Sequence, residues 1–396
     1  MKLSQRALKM EPSATLAVVG KAKKLKAEGK PVISFGAGEP DFDSPPSALA
    51  YAKEAMDKGE THYTIATGIP KLKELVVNYY SNRFNVTAKP EQVIVGAGAK
   101  PLIYEALACL VDPQDEVLVF SPAWVSYVEQ IKLCGGKEII VDTSDTNFIP
   151  SIEKVTNSIT DKTVGMILNT PNNPTGAVYD EKTIKELAKL AKEKDIWIIY
   201  DEIYERLVYE DAKHHCILSL VPEIEDRTIL INGVSKAFAM TGWRIGYAIA
   251  PTWLAPKMGA FQGHLTSNPC SIAQWAAVGA LEKAEKDVEK MHKAFSERRK
   301  LIVNLLRDMP HISFDAPTGA FYVFADIKKT LGKKHEGDLI DSDITFCTQL
   351  LEKKYVAAVP GTAFLAPGYV RLGYANSVEE ITEGMNRLKS FLEEIN

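Results

Sequence analysis

Short apolar runs alternate with helical patterns between about residue 90 and residue 250. Because these runs show no polar alternation, they predict strands buried on both faces. The predicted strands are Val93–Val95, Val117–Phe120, Glu138–Val141, Val164–Leu168, Ile196–Tyr200, Thr228–Ile231 and Tyr247–Ile249. Apolar residues at helical spacing lie between them, as in Leu102, Ile103, Ala106, Leu107 and Leu110, and in Ile184, Leu187, Ala188 and Ala191. This alternation predicts an α/β fold, with a mostly parallel sheet covered by helices in a large domain.

The pattern changes after about residue 285 and predicts a smaller α+β domain. Its expected elements are a long charged helix over Glu282–Met309, a strand at Phe321–Ala325, a helix near Ser342–Lys354 and a closing helix from about Val378. An early helix, Thr15–Glu28, and a strand, Val32–Phe35, are expected to pack with this domain. We therefore predict an amino-terminal arm (1–12), a small domain (13–45 and 286–396) and a large domain (46–285).

Charge and composition narrow the function classes. The 396 residues carry 51 acidic and 47 basic side chains, a net charge of −4, so no strong positive field exists to hold nucleic acid or an anionic membrane. No segment approaches 18 uninterrupted apolar residues. Five scattered cysteines without a C-x-x-C pair favour a reducing compartment, and we expect a cytoplasmic protein. We predict no metal site, because the adjacent side chains of His214, His215 and Cys216 cannot easily converge on one ion.

One short segment carries a combination of residues suited to an aldehyde cofactor. Ser235 and Lys236 lie just after the predicted strand Thr228–Ile231, and Arg244 lies eight residues beyond Lys236. Pyridoxal phosphate requires one amine to hold it as a Schiff base, and cations and hydroxyls to hold its phosphate. Ligands in parallel sheets gather outside the carboxyl ends of the strands, where Asn173 and Asp201 are also expected to lie.

Three further motifs each allow two interpretations. The run from Gly96 to Pro101 is a glycine turn before a helix, which is either a phosphate site or a tight structural turn. Asp201 is either a cap or turn residue, or a carboxylate that keeps a pyridine nitrogen protonated. The segment 169–176, Asn-Thr-Pro-Asn-Asn-Pro-Thr-Gly, is turn chemistry that also suggests a rigid loop directing an amide at a ligand.

With these motifs in order, the chain resembles a class I aminotransferase of the aspartate aminotransferase family, within the fold type I group of pyridoxal-phosphate enzymes. The resemblance runs over essentially the whole length, from the segment 34–42 (Ser-Phe-Gly-Ala-Gly-Glu-Pro-Asp-Phe) to the segment 370–375 (Val-Arg-Leu-Gly-Tyr-Ala). Its most specific motifs are P-N-N-P-T-G, Tyr-Asp-Glu-Ile-Tyr at 200–204, and the lysine segment.

The resemblance implies a role for each matching residue around the cofactor. Lys236 would be the Schiff-base lysine and proton carrier, Asp201 would pair with the ring nitrogen, and Trp124 would stack on the ring. Asn173 and Tyr204 would donate to the phenolic oxygen. The phosphate would be held by Gly98, Ala99, Lys100, Ser235 and Arg244, and by Tyr63 of a neighbouring subunit.

The resemblance also implies a substrate site. Arg371 would hold the α-carboxylate, with Gly38, Trp124 and Asn173 nearby, and the Lys100 side chain would meet the distal carboxylate of a dicarboxylic amino acid. One departure lies in this region, where close relatives commonly carry G-G-K-Q and this chain has Gly98-Ala99-Lys100-Pro101. Alanine disfavours positive φ, so the departure at Ala99 raises the question of whether the turn keeps the backbone conformation of those relatives.

The expected activity is transfer of the α-amino group of aspartate, or of another amino acid, to 2-oxoglutarate by a homodimer with shared active sites. Prephenate, aromatic or alanine aminotransferases and a β-lyase share the cofactor residues and stay open as alternatives. A ligand sensor is disfavoured, because regulators that resemble this fold carry an additional amino-terminal helix-turn-helix module. A nicotinamide enzyme is disfavoured by the missing G-x-G-x-x-G motif.

Overall fold

The computed structural model describes residues 2–8, 10 and 14–396. The predicted arm, 1–12, therefore lies partly outside the described residues. The helices are α1 (Gln5–Leu8), α2 (Ala14–Ala27), α3 (Pro46–Asp57), α4 (Pro70–Phe84), α5 (Ala99–Leu110), α6 (Ser126–Leu133), α7 (Ile152–Ser158), α8 (Glu181–Glu193), α9 (Ile217–Leu220), α10 (Val234–Ala237), α11 (Ala255–Leu265), α12 (Ser271–Lys283), α13 (Glu285–Arg307), α14 (Asp343–Lys354) and α15 (Val378–Glu393).

The strands form one large sheet and three smaller ones. They are β1 (Ile33–Ser34), β2 (Val93–Gly96), β3 (Glu116–Ser121), β4 (Lys137–Asp142), β5 (Thr163–Asn169), β6 (Trp197–Asp201), β7 (Thr228–Gly233), β8 (Gly246–Ile249), β9 (Ser313–Phe314), β10 (Tyr322–Asp326), β11 (Lys334–His335), β12 (Asp338–Leu339), β13 (Val356–Ala357), β14 (Val359–Pro360) and β15 (Tyr369–Gly373).

The large sheet contains all seven strands predicted between residues 90 and 250, in the order β2-β8-β7-β6-β5-β3-β4. Strands β4, β3, β5, β6 and β7 pair in parallel, whereas β8 runs antiparallel to both β7 and β2. The prediction of a mostly parallel sheet is therefore confirmed. The carboxyl ends of the five parallel strands lie at one edge, which positions the loops that follow them.

Helices cover both faces of this sheet and bury its central strands. The apolar stripes of α5 and α8 are buried as predicted, with Leu102 and Leu187 among the fully buried residues. Strand β4 differs from the prediction of burial on both faces, since Ile140 is 40% exposed. The reason is its place at the sheet edge, where β3 is its one neighbour and helices cover it incompletely.

A second apolar core lies around the four-stranded antiparallel sheet β14-β15-β10-β9 and helices α13 and α15. The predicted helix Glu282–Met309 corresponds to α13, which begins at Glu285 and ends at Arg307; Glu282 and Lys283 instead end α12, and the buried Ala284 separates the two helices. Ala284 leaves helical geometry where the chain passes from the first core to the second, and no glycine or proline there indicates the break. Strand β1 pairs in parallel with β13, which places the early strand with the second core as expected. The domain boundaries themselves stay a prediction.

Among the described residues, no helix combines the length and the apolar character needed to cross a lipid bilayer.

Candidate active site

The suggestive side chains converge because their strands end at the same edge of the large sheet. Trp124 follows β3, Asn173 follows β5, Asp201 is the last residue of β6, and Lys236 lies in α10 directly after β7. Strand β8 runs the opposite way, so it begins at this edge, and Arg244 precedes it by two residues.

These side chains surround a cavity of about 200 Å³. The second core supplies one wall, through Tyr322 on β10 and Arg371 on β15. The lining residues are Gly38, Ala99, Lys100, Trp124, Tyr127, Asn169, Asn173, Asp201, Ile203, Tyr204, Ser235, Lys236, Thr241, Arg244, Tyr322 and Arg371.

Lys236 presents an amine whose charged form is disfavoured. Its Nζ donates a short hydrogen bond to the carbonyl oxygen of Gly38, and the side chain is only partly open to solvent through the cavity. Burial lowers the pKa of Lys236 to about 8, and the positive charges of Arg371 and Arg244 act in the same direction, opposed by Glu39 and Asp201. An amine with such a pKa exchanges a proton readily near neutral pH.

Asp201 is a buried carboxylate held from two sides. Its Oδ2 accepts a hydrogen bond of 2.7 Å from the Tyr127 hydroxyl, and its Oδ1 accepts one of 3.1 Å from the backbone N–H of Ile203. Burial raises the pKa of Asp201 to about 6, although both hydrogen bonds favour the ionised form. The Oδ1 atom of Asp201 thus acts as an acceptor in a local turn, which is one of the two interpretations of this residue. The Oδ2 atom is held by Tyr127, a cavity residue that the sequence analysis did not identify.

Arg371 is a buried cation that, among the described residues, has no carboxylate in its hydrogen-bond contacts. Its Nη1 donates to Asn173 Oδ1 at 2.9 Å and its Nη2 donates to the Gly36 carbonyl at 3.0 Å. Its guanidinium lies 4.4 Å from the ring centre of Tyr322 and 4.9 Å from that of Phe364. The Nε atom is buried and makes no hydrogen bond, and burial lowers the pKa of Arg371. A cation in this state is a receptor for an anion.

Hydrogen bonds to asparagine side chains within the loop after β5 hold that loop in shape. The backbone N–H of Asn173 donates to Asn169 Oδ1 at 2.9 Å, and that of Thr175 donates to Asn172 Oδ1 at 3.1 Å. Because the Oδ1 of Asn173 accepts from Arg371, its Nδ2 is the atom left to donate. Both interpretations of the segment thus hold: a tight turn presents one amide to the cavity.

Two tyrosine hydroxyls meet beside this amide. Tyr204 Oη and Tyr322 Oη lie 2.9 Å apart, and burial raises the pKa of each. A Cβ at Gly38 would lie 3.2 Å from the Tyr322 hydroxyl, so a side chain there would crowd the pair. The strand prediction Phe321–Ala325 included Tyr322, but alternation alone did not indicate which face meets the cavity.

The turn before α5 forms a cradle. Gly98 has φ of 97°, and a Cβ added to it would lie 2.5 Å from Nη2 of Arg244. Ala99 is the first residue of α5, so the positive φ belongs to Gly98, and the alanine causes no strain. Backbone N–H groups at this helix start, with the nearby buried Ser235 and the Arg244 guanidinium, form an environment suited to a phosphate.

Lys100 and Trp124 form the outer part of the cavity. Lys100 Nζ lies 4.7 Å from the centre of the Trp124 ring. The lysine is exposed, yet partial burial, followed by the charge of Arg244, lowers its pKa. Trp124 meets Tyr127 edge to face, at 5.3 Å between ring centres. Trp124 precedes α6 and Tyr127 lies in its first turn, so their separation of three residues was the one signal in the sequence that could have indicated Tyr127.

Two proposed cofactor residues do not line this cavity: Gly98, which adjoins it next to Ala99, and Tyr63, which is exposed on another loop. The exposed fraction of Tyr63 is 91%. Ile65, two residues later, is 60% exposed, so the same loop presents a second apolar side chain to solvent.

The residues present fit pyridoxal phosphate. Gly98 and Arg244 leave a cradle that a side chain at residue 98 would fill, which suits the phosphate. Lys236 supplies an amine of lowered pKa, and Asp201 supplies a buried carboxylate for the ring nitrogen. Arg371, with its unpartnered Nε, remains for a second anion.

Comparison with known proteins agrees with this assignment. Residues 30–388 match the family model for aminotransferase class I and II. The chain is 41% identical to an aspartate aminotransferase of Bacillus subtilis, with 99% of each chain covered. It is also 41% identical to an aspartate/prephenate aminotransferase of Cereibacter sphaeroides, with 98% of each covered.

Solved structures give the same result. The aspartate aminotransferase of Thermus thermophilus with maleate superposes with a TM-score of 0.93 at 38% identity, covering 99% of this chain and 100% of that one. The aspartate aminotransferase of Rhizobium meliloti superposes with a TM-score of 0.96 at 36% identity, with both chains fully covered. The chain therefore belongs to the class I and II aminotransferases and is a pyridoxal-phosphate-dependent enzyme.

Proposed function

We propose that this protein is an aspartate aminotransferase that passes the α-amino group to 2-oxoglutarate. The observation that carries the proposal is Arg371, a buried cation without a carboxylate contact, in the same cavity as the amine of Lys236. An amino acid needs such a cation for its α-carboxylate and a nearby base for its Cα proton. The relatives named aspartate aminotransferase support the choice of substrate.

Arg371 and Lys236 have different roles in the proposed reaction, and each role follows from the residue's position in the cavity. Arg371 binds the α-carboxylate through its planar fork, which orients the Cα–H bond toward Lys236. Lys236 accepts that proton at Nζ and later returns it, since its pKa of about 8 allows both steps near neutral pH. When bound, pyridoxal phosphate supplies a carbon that receives the amino group and a ring that accepts electrons.

The remaining residues hold the cofactor. Asp201 would keep the ring nitrogen protonated, and Tyr127 holds the Asp201 carboxylate in place. Asn173 Nδ2 and the Tyr204 hydroxyl would be the donors for the phenolic oxygen, and Trp124 would be the aromatic partner of the ring. Gly98, Ala99, Lys100, Ser235 and Arg244 would hold the phosphate.

The proposal includes a homodimer in which Tyr63 reaches the phosphate bound by the second subunit. Its support is the family resemblance together with the exposure of Tyr63 and Ile65, two apolar side chains on one loop. It also includes a cytoplasmic location, supported by five scattered cysteines without a C-x-x-C motif.

Lys100 is the proposed determinant of dicarboxylic substrates. Its ammonium group lies over Trp124 at the cavity mouth, where a distal carboxylate could reach it. The Thermus thermophilus enzyme was solved with maleate, a four-carbon dicarboxylate, which supports this preference. Prephenate also carries two carboxylates, and relatives named aspartate/prephenate aminotransferase make it a second candidate acceptor.

The test compares substrates in the Lys100→Ala variant. Losing one partner of a charged pair costs about 2–5 kcal/mol, so kcat/KM for aspartate and glutamate should fall roughly 30-fold to several thousand-fold. Values for alanine and phenylalanine should change far less. Lys132→Ala removes an exposed lysine outside the cavity and serves as the matched control. Prephenate is assayed beside 2-oxoglutarate as amino acceptor.

Cofactor occupancy is measured first by absorbance, so that lost cofactor is not mistaken for lost specificity. Equal losses for acidic and neutral amino acids at full occupancy would remove Lys100 as the specificity determinant. Failure of wild-type protein to transaminate aspartate at all would refute the proposed function.

A further inference from the structure

Two fully buried glutamines lie beneath the loop that carries Tyr63. Gln262 is on α11 and Gln274 is on α12, and neither side chain is exposed to solvent. A buried amide carries a substantial desolvation penalty unless its hydrogen bonds are made, so its partners show what it holds. Each glutamine makes at least one of its hydrogen bonds to the segment 64–69, although the Oε1 of Gln262 has no partner among the described residues.

Gln274 makes hydrogen bonds to both ends of the segment 64–69. Its Oε1 accepts a 2.8 Å hydrogen bond from the backbone N–H of Ile69, and its Nε2 donates to Thr64 Oγ1 at 3.2 Å. The same Nε2 donates to the carbonyl of Pro269 at 2.9 Å, just before α12. One amide therefore ties Thr64, the residue next to Tyr63, to the helix that supports the loop.

Gln262 joins the loop to the sheet. Its Nε2 donates to the carbonyl of Ala66 in a short hydrogen bond and to the carbonyl of Val95 at 2.8 Å. The backbone N–H of Val95 in turn donates to the carbonyl of Thr67 at 3.0 Å. The loop is thus anchored on β2, the strand that leads into the Gly98 turn.

Close packing reinforces these hydrogen bonds. A Cβ added to Gly259 on α11 would lie 2.5 Å from Cγ2 of Thr67, so a larger residue at 259 would push the loop away. A Cβ at Gly68 would lie 2.6 Å from Val95, and the φ of Gly68 is 104°. The base of the loop is therefore fixed, whereas the Tyr63 side chain at its tip is 91% exposed.

We propose that Gln262 and Gln274 are positioning residues that hold Tyr63 in the orientation needed to reach the cofactor phosphate of a second copy of this chain. An exposed aromatic on a free loop would lose side-chain and backbone entropy on docking, and a loop fixed from below avoids much of that cost. The inference rests on the proposed role of Tyr63 in a homodimer. It assigns to the two glutamines an effect on phosphate binding in a site that they do not line.

The test measures cofactor release from the holoenzyme by equilibrium dialysis. Gln262→Met and Gln274→Met keep side-chain length and remove the amide hydrogen bonds, and Gln274→Glu keeps the acceptor for Ile69 while removing the amide donor. Tyr63→Phe should raise the Kd of pyridoxal phosphate roughly ten- to a hundredfold, the range for a hydrogen bond to a charged group. The two methionine variants should raise it by up to the same factor.

Pyridoxal, which lacks the phosphate, distinguishes positioning from general loosening, and its affinity should not change in any of these variants. The effect of each glutamine variant on pyridoxal phosphate should also vanish when Tyr63 is already phenylalanine, because interactions through one residue are not additive. Gln349→Met is the matched control, since Gln349 is also buried and donates to a backbone carbonyl, that of Leu339.

Each other outcome overturns the inference in a distinguishable way. A glutamine effect that persists with Tyr63→Phe would assign the amides to the chain's own phosphate turn through Val95. Equal weakening of pyridoxal, or an equal effect of Gln349→Met, would assign them to stability alone. A normal Kd in both glutamine variants, with Tyr63→Phe impaired, would refute positioning and leave the Tyr63 role intact. A normal Kd in Tyr63→Phe would refute that role itself.

Discussion

Replacement of Lys236 by methionine should stabilise the cofactor-free protein at neutral pH. Lys236 is half-buried beside Arg371 and Arg244, and burial together with these charges lowers its pKa from an ordinary 10.5 to about 8. At pH 7 the native protein therefore still holds a charged amine, in a site that destabilises the charge relative to water. Methionine is similar in length and carries no charge, so it removes that penalty with little change in packing.

The magnitude follows from the difference between the two pKa values. Between 10.5 and about 8, the free energy that disfavours the charged form is about 3 kcal/mol. Because the cavity admits some solvent to Lys236, we take this as an upper value. The Lys236→Met variant should thus unfold at higher urea concentration than the wild type at pH 7, by up to about 3 kcal/mol in free energy of unfolding.

The pH dependence provides the sharper check. Below pH 8 both the native and the unfolded states carry the proton, so the full penalty is present. Between pH 8 and 10.5 the native state releases the proton while the unfolded chain keeps it, and the wild type gains stability with rising pH. The advantage of the variant should therefore shrink by about 2 kcal/mol between pH 7 and pH 9.5.

Urea unfolding of both cofactor-free proteins at several pH values measures this difference, with the exposed Lys182→Met as the control. An advantage independent of pH would show that methionine improves packing and that the charge is not the cause. A variant less stable than the wild type at pH 7 would refute the description of Lys236 as a penalised cation.

Three further outcomes are expected. Asp201→Ala should retain cofactor but slow removal of the substrate Cα proton by several orders of magnitude, measured by stopped-flow absorbance with α-deuterated and ordinary aspartate. Mixing inactive Tyr63→Ala and Lys236→Ala variants should restore some activity, because a heterodimer contains one intact shared site; no recovery despite demonstrated subunit exchange would contradict the dimer proposal. Gly98→Ala should cost about 1–3 kcal/mol of stability and weaken phosphate binding, since its φ is 97° and its Cβ would meet Arg244; calorimetry and cofactor dialysis measure both.

The large sheet was predictable from the sequence because a strand that is buried on both faces is a continuous run of apolar residues. Each of the seven apolar runs is a strand of that sheet. The pattern did not show that β4 is an exposed edge strand, because strand order depends on contacts between distant segments. It also began the helix α13 three residues too early, because the charged pattern continues across Ala284, where tertiary packing separates α12 from α13.

The site was predictable to the extent that its residues stand in motifs. Lys236, Asp201, Asn173 and Arg371 line one cavity, as the strand ends and the family resemblance implied. Tyr322 was not identified, because its role depends on which face of β10 meets the cavity and on packing against Arg371. Their chemical roles stay proposals that the variants above test.

In the proposed mechanism, Arg371 would link substrate binding to the base strength of Lys236. Its charge helps to lower the pKa of Lys236, although burial is the larger cause. A substrate carboxylate bound to Arg371 would neutralise much of that charge, and the repulsion on protonated Lys236 would weaken. The amine would then become a stronger base in the complex that presents a Cα proton, and a weaker one in the free enzyme. If the proposed roles hold, one buried cation would contribute both to recognition of the carboxylate and to the timing of the proton transfer.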